Sequence, residues 1–163
     1  MNKEKLRMIE NMEFESTDPV DFKPNEKRHY RVSEDDLQGM PSAPDDNQAE
    51  LRERIIEIFE NVFEGKKTIV SGKCDIDRTN FGRYLKGTYG ITKSNLVKFI
   101  LGAKLSYDEA KELLILNGTP LCPTKCRFDY IADLAISDGD ELDDFMEELV
   151  KYGCKDISSK SVL

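Results

Sequence analysis

The chain of 163 residues is long enough for one ordinary domain with an additional tail, and its net charge is −8. Hydrophobic residues make up 39% of it and charged residues 34%, so a compact core is possible, but no run of about 18 apolar residues exists that could span a membrane. The first residues lack the apolar block of a signal peptide. We therefore expect a cytoplasmic protein whose four cysteines are free thiols.

Residues 1–48 are predicted to form an acidic, flexible N-terminal segment. They hold four of the six prolines and twelve acidic residues against seven basic ones, and their few apolar residues follow no sustained period. Leu6, Ile9 and Met12 could form one short amphipathic helix. The basic–aromatic cluster at residues 27–31 could reach DNA phosphates or a minor groove, although a solvated charge cluster is the favoured interpretation.

Helical periodicity begins near Asn47. Apolar residues at three- and four-residue steps predict a helix over 47–63, ended by Gly65. A short second helix is predicted over Lys67–Cys74. Asp77 is a good N-cap for a third helix over 77–86, because its carboxylate can accept hydrogen bonds from the free N–H groups of the first turn, and Gly87 ends that helix where the chain must turn left-handed.

Four further helices complete the prediction of an all-α chain. One starts at Thr92 or Lys93, and the next starts at the capping box that Ser106 forms with Glu109. The last two span residues 127–136 and 140–152, and no stretch is typical of a strand. We therefore divide the chain into the N-terminal segment 1–48, a helical domain over 49–119, a helical extension over 120–153 and a frayed tail over 154–163.

The third predicted helix has two chemically different faces. Phe81, Tyr84 and Leu85 lie together on one side, and Gly82 would let two backbones approach closely. The other side carries only hydrogen-bond donors: Arg78, Thr79, Asn80, Arg83 and Lys86. Two short helices joined by a tight turn, with donors on the second, are typical of a helix–turn–helix that reads the major groove. On this stretch alone, a solvated surface helix is an equal alternative.

Positive charge is concentrated in one part of this acidic chain. Between residues 65 and 104, nine Lys and Arg residues stand against two Asp residues, a balance of +7 that leaves −15 for the remainder. Separation of sign along a chain lets an acidic protein present a basic patch. We expect the patch to hold DNA phosphates while the acidic remainder suppresses non-specific binding.

Residues 50–153 resemble small Firmicute-type members of the lambda-repressor-like (Xre) helix–turn–helix family. The landmarks are IDRTNFGRYLKG at 76–87, the start of LSYDEAKELLILNG at Ser106 and Glu109, the PLCP link at 120–123, Arg127 just after it, and the final helices that end in ELDDFMEELVKYG. The preceding TIVSGKC lacks the family's Gln/Glu-Leu-Ala pattern, and Gly102 stands where the family tends to carry a long aliphatic residue.

The resemblance implies a five-helix DNA-binding unit followed by a two-helix extension, with the 77–86 helix in the major groove. The base-facing residues that it implies are Arg78, Thr79, Asn80 and Arg83. The implied phosphate contacts are Lys73, Lys86, Lys93 and Ser94. Its function would then be that of a sequence-specific DNA-binding transcription regulator.

Two partner hypotheses accompany this prediction. One unit covers only half of an operator, so tight binding to double-stranded DNA would need a homodimer, for which the apolar stripe of 140–152 is a candidate surface. Packing within the chain explains that stripe equally well. The rival function is a protein-interaction module, an adaptor or inhibitor in a phage, defence or signalling context, which docks through its acidic surface.

The sequence offers no catalytic constellation. Its single histidine, His29, has no second histidine to form a triad or a His-rich metal site. Cys122 and Cys126 are four residues apart, which is not the spacing of a zinc knuckle, and no glycine-rich nucleotide-binding motif occurs. We expect no enzyme, no cofactor and no metal.

Overall fold

The computed structural model describes residues 2–19 and 44–159. Over these residues the chain is all-helical, and its one β-type contact is an isolated parallel bridge between Ser16 and Cys126. The α-helices are α1 Lys3–Arg7, α2 Pro44–Val62, α3 Lys67–Cys74, α4 Arg78–Leu85, α5 Lys93–Ala103, α6 Tyr107–Leu116, α7 Arg127–Asp138 and α8 Leu142–Lys151, and a 3-10 turn, Met8–Asn11, follows α1. The basic–aromatic cluster at 27–31, with His29, lies outside the described residues.

Two predicted helix starts are confirmed by their caps, whereas α2 begins at Pro44 and not near Asn47, and α8 begins at Leu142 and not at residue 140. The Asp77 carboxylate accepts a hydrogen bond from the Asn80 N–H at 3.0 Å. The Ser106 hydroxyl accepts one from the Glu109 N–H at 3.2 Å, in the same way. Gly87 adopts φ +79, as predicted for the residue that turns the chain away from the end of α4. Local sequence therefore sets the position of α4 along the chain.

Helix α5 lies at the centre of the molecule. It packs against α3, α6, α7 and α8, and it has almost no solvent-exposed face. The Phe99 ring stacks against Phe81 of α4 at a centroid distance of 5.9 Å and lies 5.5 Å from Phe63, just after α2. This buried aromatic group fixes α4 against the core, so that only the opposite side of α4 faces outward.

Two glycines adjoin this packing, with different consequences. At Gly102, an added Cβ would lie 2.3 Å from Cys74 Sγ and 2.9 Å from the Lys73 carbonyl oxygen. Gly102 therefore lets α5 contact the end of α3, which accounts for glycine in place of a long side chain. At Gly82, the atom nearest to an added Cβ is the Lys67 Nζ, at 3.0 Å. That atom belongs to a side chain, so the prediction of a close backbone approach there is wrong.

The apolar stripe on α8 is used within the chain. Leu142, Phe145 and Leu149 are buried, and the Phe145 ring packs edge-on against Phe128 of α7 at 5.8 Å. On the same helix, Val150 is 52% exposed. Most of the stripe therefore packs into the core, while Val150 faces solvent.

The N-terminal end of the described chain packs onto α7, and its C-terminal end contacts Asp18 and the turn between α3 and α4, which differs from the predicted flexible segment and frayed tail. Leu6 and Ile9 are buried, and the backbone around Ser16 bonds to the chain at the start of α7. After α8, residues 154–159 form what we call the strap. Its Lys155 N–H donates to the Asp18 carboxylate at 2.8 Å, and Ser159 reaches the turn between α3 and α4. These contacts join positions more than 80 residues apart, which no local pattern reveals.

Candidate nucleic-acid interface

Helix α4 divides into a buried face and an exposed face. Phe81 and Tyr84 are buried at 1% and 2% exposure, and Gly82 is buried beside them. The four predicted base-facing residues, by contrast, are all exposed: Arg78, Thr79, Asn80 and Arg83. Helix α4 thus exposes two guanidinium groups, an amide and a hydroxyl to solvent.

No carboxylate among residues 2–19 and 44–159 neutralises the cations of this face. Within the described parts of the chain, no carboxylate lies within 4.0 Å of the guanidinium groups of Arg78 or Arg83. The Arg83 guanidinium lies 5.5 Å from the centre of the Tyr89 ring, and that ring is itself 53% exposed. A cation–π contact at an exposed site leaves the arginine positively charged and available to an outside acceptor.

Arg52 of α2 secures the C-terminal end of α4. Its Nε donates to the Tyr84 carbonyl at 3.2 Å, and its guanidinium lies 5.8 Å from the centre of the Tyr84 ring and against Gly87. A cation beside the free carbonyls at a helix C-terminus is favourable. Sequence reasoning missed this residue, because Arg52 reads as an ordinary polar position on an amphipathic helix.

The turn before α4 is held by a charged network centred on Asp75. Asp75 adopts φ +53, and the buried Lys98 Nζ donates to its carbonyl oxygen at 2.9 Å and lies 3.3 Å from its carboxylate. The Ser159 N–H donates to the same carboxylate at 2.8 Å, and the Ser159 hydroxyl also bonds to it. Burial alone would raise the pKa of Asp75, but these hydrogen bonds and the Lys98 ammonium together hold it below its ordinary value.

The predicted phosphate contacts occupy different environments. Lys73, at the end of α3, and Lys86, just after α4, are exposed, and Ser94 is half-buried. Lys93 is different: it is 7% exposed, and its Nζ bonds to the Asp129 carboxylate at 2.6 Å and to the Pro120 carbonyl at 2.9 Å. An ammonium bound in this way inside the protein does not face a phosphate, so Lys93 is removed from the candidate interface.

The predicted balance of +7 overstates the charge at the surface. Lys93 and Lys98 are buried in ion pairs, and Lys104 pairs with Glu141 at 2.7 Å. Lys66 lies 3.6 Å from Glu64. Five exposed cations of this stretch remain without a carboxylate partner among residues 2–19 and 44–159: Lys67, Lys73, Arg78, Arg83 and Lys86.

Two of the exposed residues here were not singled out by sequence reasoning. Lys67, at the start of α3, places its ammonium over Gly82, in the middle of α4. Tyr89 follows α4 and contacts Arg83. The sequence feature that could have indicated Lys67 is Gly82 of α4, because a glycine there leaves room for a long side chain from α3.

The described residues contain no group of three or more His, Cys, Asp and Glu side chains that could hold a metal ion. Within the same residues, no helix is both long and apolar enough to cross a bilayer. The chain matches no protein-family model, no curated protein and no solved structure with which it was compared. Any assignment of function therefore depends on the residues and geometry described above.

Proposed function

We propose that this protein is a sequence-specific DNA-binding transcription regulator, in which α3 and α4 form a helix–turn–helix and α4 enters the major groove. The observation that carries the proposal is the exposed face of α4, where Arg78 and Arg83 stand without a carboxylate partner among the described residues. The core holds one side of α4, and the other side presents donors at the regular spacing of a helix. Base readout requires a helix of this form.

The side chains on this face match the donor and acceptor pattern of base edges. An arginine guanidinium can donate two hydrogen bonds to guanine O6 and N7, and an asparagine amide can pair with adenine N6 and N7. We assign the first role to Arg78 and Arg83 and the second to Asn80, and Thr79 could contact a thymine methyl group. Each good bidentate pair is worth about 1–3 kcal/mol of discrimination against the wrong base.

Phosphate contacts are assigned to lysines at the edges of the same surface. Lys73 and Lys86 are exposed at the end of α3 and just after α4, and Lys67 lies at the start of α3. Ser94, half-buried in the first turn of α5, is the fourth candidate. If the three lysines each neutralise one phosphate, the logarithm of the binding constant falls with the logarithm of the salt concentration with a slope of about −3.

The test is selection of bound sequences from random duplex DNA with the full-length chain, followed by fluorescence anisotropy on the enriched duplex at several salt concentrations. The proposal expects one enriched sequence and a steep salt dependence. Recovery of an unenriched pool, or no retention of DNA even at low salt, contradicts it. A half-site of a few base pairs is the expected footprint of a single unit.

One observation favours a second candidate, a protein-interaction module that binds a basic partner. The outer side of α8 carries three exposed carboxylates, Asp143, Asp144 and Glu147. Such a surface repels DNA and is complementary to a positively charged protein. Crosslinking followed by pull-down separates the two functions: replacing these three acids with their amides abolishes capture of a basic protein but leaves DNA binding through α4 intact.

A further inference from the structure

Two cysteines that no proposed function uses share one hydrogen-bond acceptor. The Cys126 Sγ lies 3.8 Å from the Thr17 carbonyl oxygen, and the Cys154 Sγ lies 3.6 Å from the same atom. Both thiols are free and buried. Two sulfurs that approach one oxygen atom this closely are neighbours in space, although 28 positions separate them in the sequence.

The two cysteines belong to segments of different freedom. Cys126 is fixed, because it caps α7 and forms the backbone bridge with Ser16. Cys154 is the first residue of the strap, and it follows Gly153, whose φ of +81 is a conformation open to glycine. The Cys154 N–H donates to the Leu149 carbonyl of α8 at 2.8 Å, so rotation of the Cys154 side chain, and not movement of its backbone, brings its sulfur towards Cys126.

We propose that Cys126 and Cys154 are a disulfide-forming pair, oxidised by a peroxide, which ties the strap covalently to the start of α7. This inference does not depend on DNA binding. The reaction is two thiols plus one hydrogen peroxide to one disulfide plus two waters. In the first step the Cys154 sulfur attacks the peroxide O–O bond, which gives a sulfenic acid and one water. In the second the Cys126 sulfur attacks that sulfenic sulfur, the S–O bond breaks, and the oxygen leaves as the second water.

The surroundings of Cys154 restrict this chemistry to moments when the strap lifts. Burial, with a smaller contribution from the Asp18 carboxylate, raises the pKa of the Cys154 thiol to about 12, against the opposing effect of Arg127. A thiol kept protonated is a poor nucleophile, so the closed strap protects it. After oxidation both sulfur donors to Thr17 are gone, and the strap is held by a covalent bond in their place.

The position of the strap gives the bond a wider effect. Its other end, Ser159, holds the Asp75 carboxylate in the turn between α3 and α4. A bond at Cys154 anchors the strap at its first residue, which favours the contact of Ser159 with that turn in the oxidised protein.

The experiment treats the full-length protein with one equivalent of hydrogen peroxide, blocks remaining thiols by alkylation and maps disulfides by peptide mass spectrometry. Exposed Cys122 is the competing thiol, so Cys122→Ser is the working background and Cys154→Ser within it is the matched control. The proposal expects a Cys126–Cys154 linked peptide in the wild type and in Cys122→Ser, and its absence in the control. A Cys122–Cys126 bond in the wild type, or unreacted Cys126 and Cys154 in Cys122→Ser, overturns it.

A second experiment tests whether the Cys126–Cys154 disulfide restrains the strap. Trypsin cleaves after Lys155, within the strap, only when the strap opens. In Cys122→Ser, oxidation should slow cleavage at Lys155 at least several-fold, and adding a reductant should restore the rate. Equal cleavage rates for the oxidised and reduced forms would show that the bond does not hold the strap.

Discussion

Lys93 Nζ lies 2.6 Å from Asp129 Oδ2 inside the protein, and this ion pair joins the first turn of α5 to the first turn of α7. The same carboxylate oxygen accepts the Cys122 N–H at 2.7 Å, and Lys93 also donates to the Pro120 carbonyl. The pair therefore holds the link between α6 and α7 as well. Lys93, which was predicted to contact a phosphate, instead joins α5 to α7 inside the protein.

We expect the loss of one partner of this pair to be severe. Lys93→Met leaves a buried carboxylate, and Asp129→Leu leaves a buried ammonium, so each should lower the free energy of unfolding by about 3–5 kcal/mol. The double variant should recover part of that loss, because no unpaired charge is then buried, while the Cys122 N–H and the Pro120 carbonyl still lose their partners. Urea unfolding of all four proteins measures the coupling. If each single variant lowers the free energy of unfolding by less than about 1 kcal/mol, the pair does not stabilise the fold.

Gly102 should be intolerant of even one methyl group. Gly102→Ala places its Cβ against Cys74 Sγ and the Lys73 carbonyl, so α3 must move away from α5. We expect a loss of about 1–3 kcal/mol in thermal or urea unfolding. Gly72→Ala is the matched control: it lies within α3, a Cβ there meets nothing within 4 Å, and alanine should stabilise the helix by up to about 1 kcal/mol. Equal effects of the two changes would contradict the close approach.

Arg52 should stabilise α4 more than an ordinary surface arginine does. Arg52→Met keeps the aliphatic stem but removes the hydrogen bond to the Tyr84 carbonyl and the contact with its ring, for a loss of about 1–2 kcal/mol. Arg54→Met on the same helix removes a partly exposed pair with Glu112 and should cost less than about 1 kcal/mol. Faster amide hydrogen exchange at the end of α4 in the first variant alone would localise the effect.

The Asp75 network should make stability depend on pH in one direction. Because the folded-state pKa of Asp75 lies below its ordinary value, its carboxylate stabilises the fold above about pH 4, and that stabilisation is lost as the pH falls through the folded-state pKa. Asp75→Asn removes the charge, and asparagine tolerates the left-handed backbone there. The difference in unfolding free energy between wild type and variant should be constant between about pH 5 and 8 and shrink below about pH 4. A difference that persists unchanged to about pH 2 contradicts this assignment.

Local patterns predicted the helices well. The caps at Asp77 and Ser106 and the stop at Gly87 are short-range features, and each lies where the sequence indicated. Apolar spacing identified the buried face of α4 for the same reason, since a helix repeats every 3.6 residues whatever surrounds it. The exposure of Arg78 and Arg83 followed directly from that face.

Long-range partners were beyond the reach of these patterns. A lysine in the first turn of a helix within a basic run is typical of a solvated residue, and nothing near Lys93 in the sequence indicates an Asp129 that lies 36 positions away. The docking of the strap on Asp75 spans 84 positions and depends on side-chain hydrogen bonds without a period. The sequence therefore predicted the charge along the chain correctly but overestimated the positive charge exposed at the surface.

The most direct test of the account is the affinity of Arg83→Ala for the DNA duplex selected by the wild type, with Lys111→Ala, an exposed lysine on α6, as a control of equal charge change. We predict that Arg83→Ala binds more weakly by about 1–3 kcal/mol, roughly 5- to 150-fold, and discriminates less between the selected sequence and single-base variants, while Lys111→Ala binds as the wild type does. Equal binding by all three proteins would contradict α4 as the DNA-reading helix.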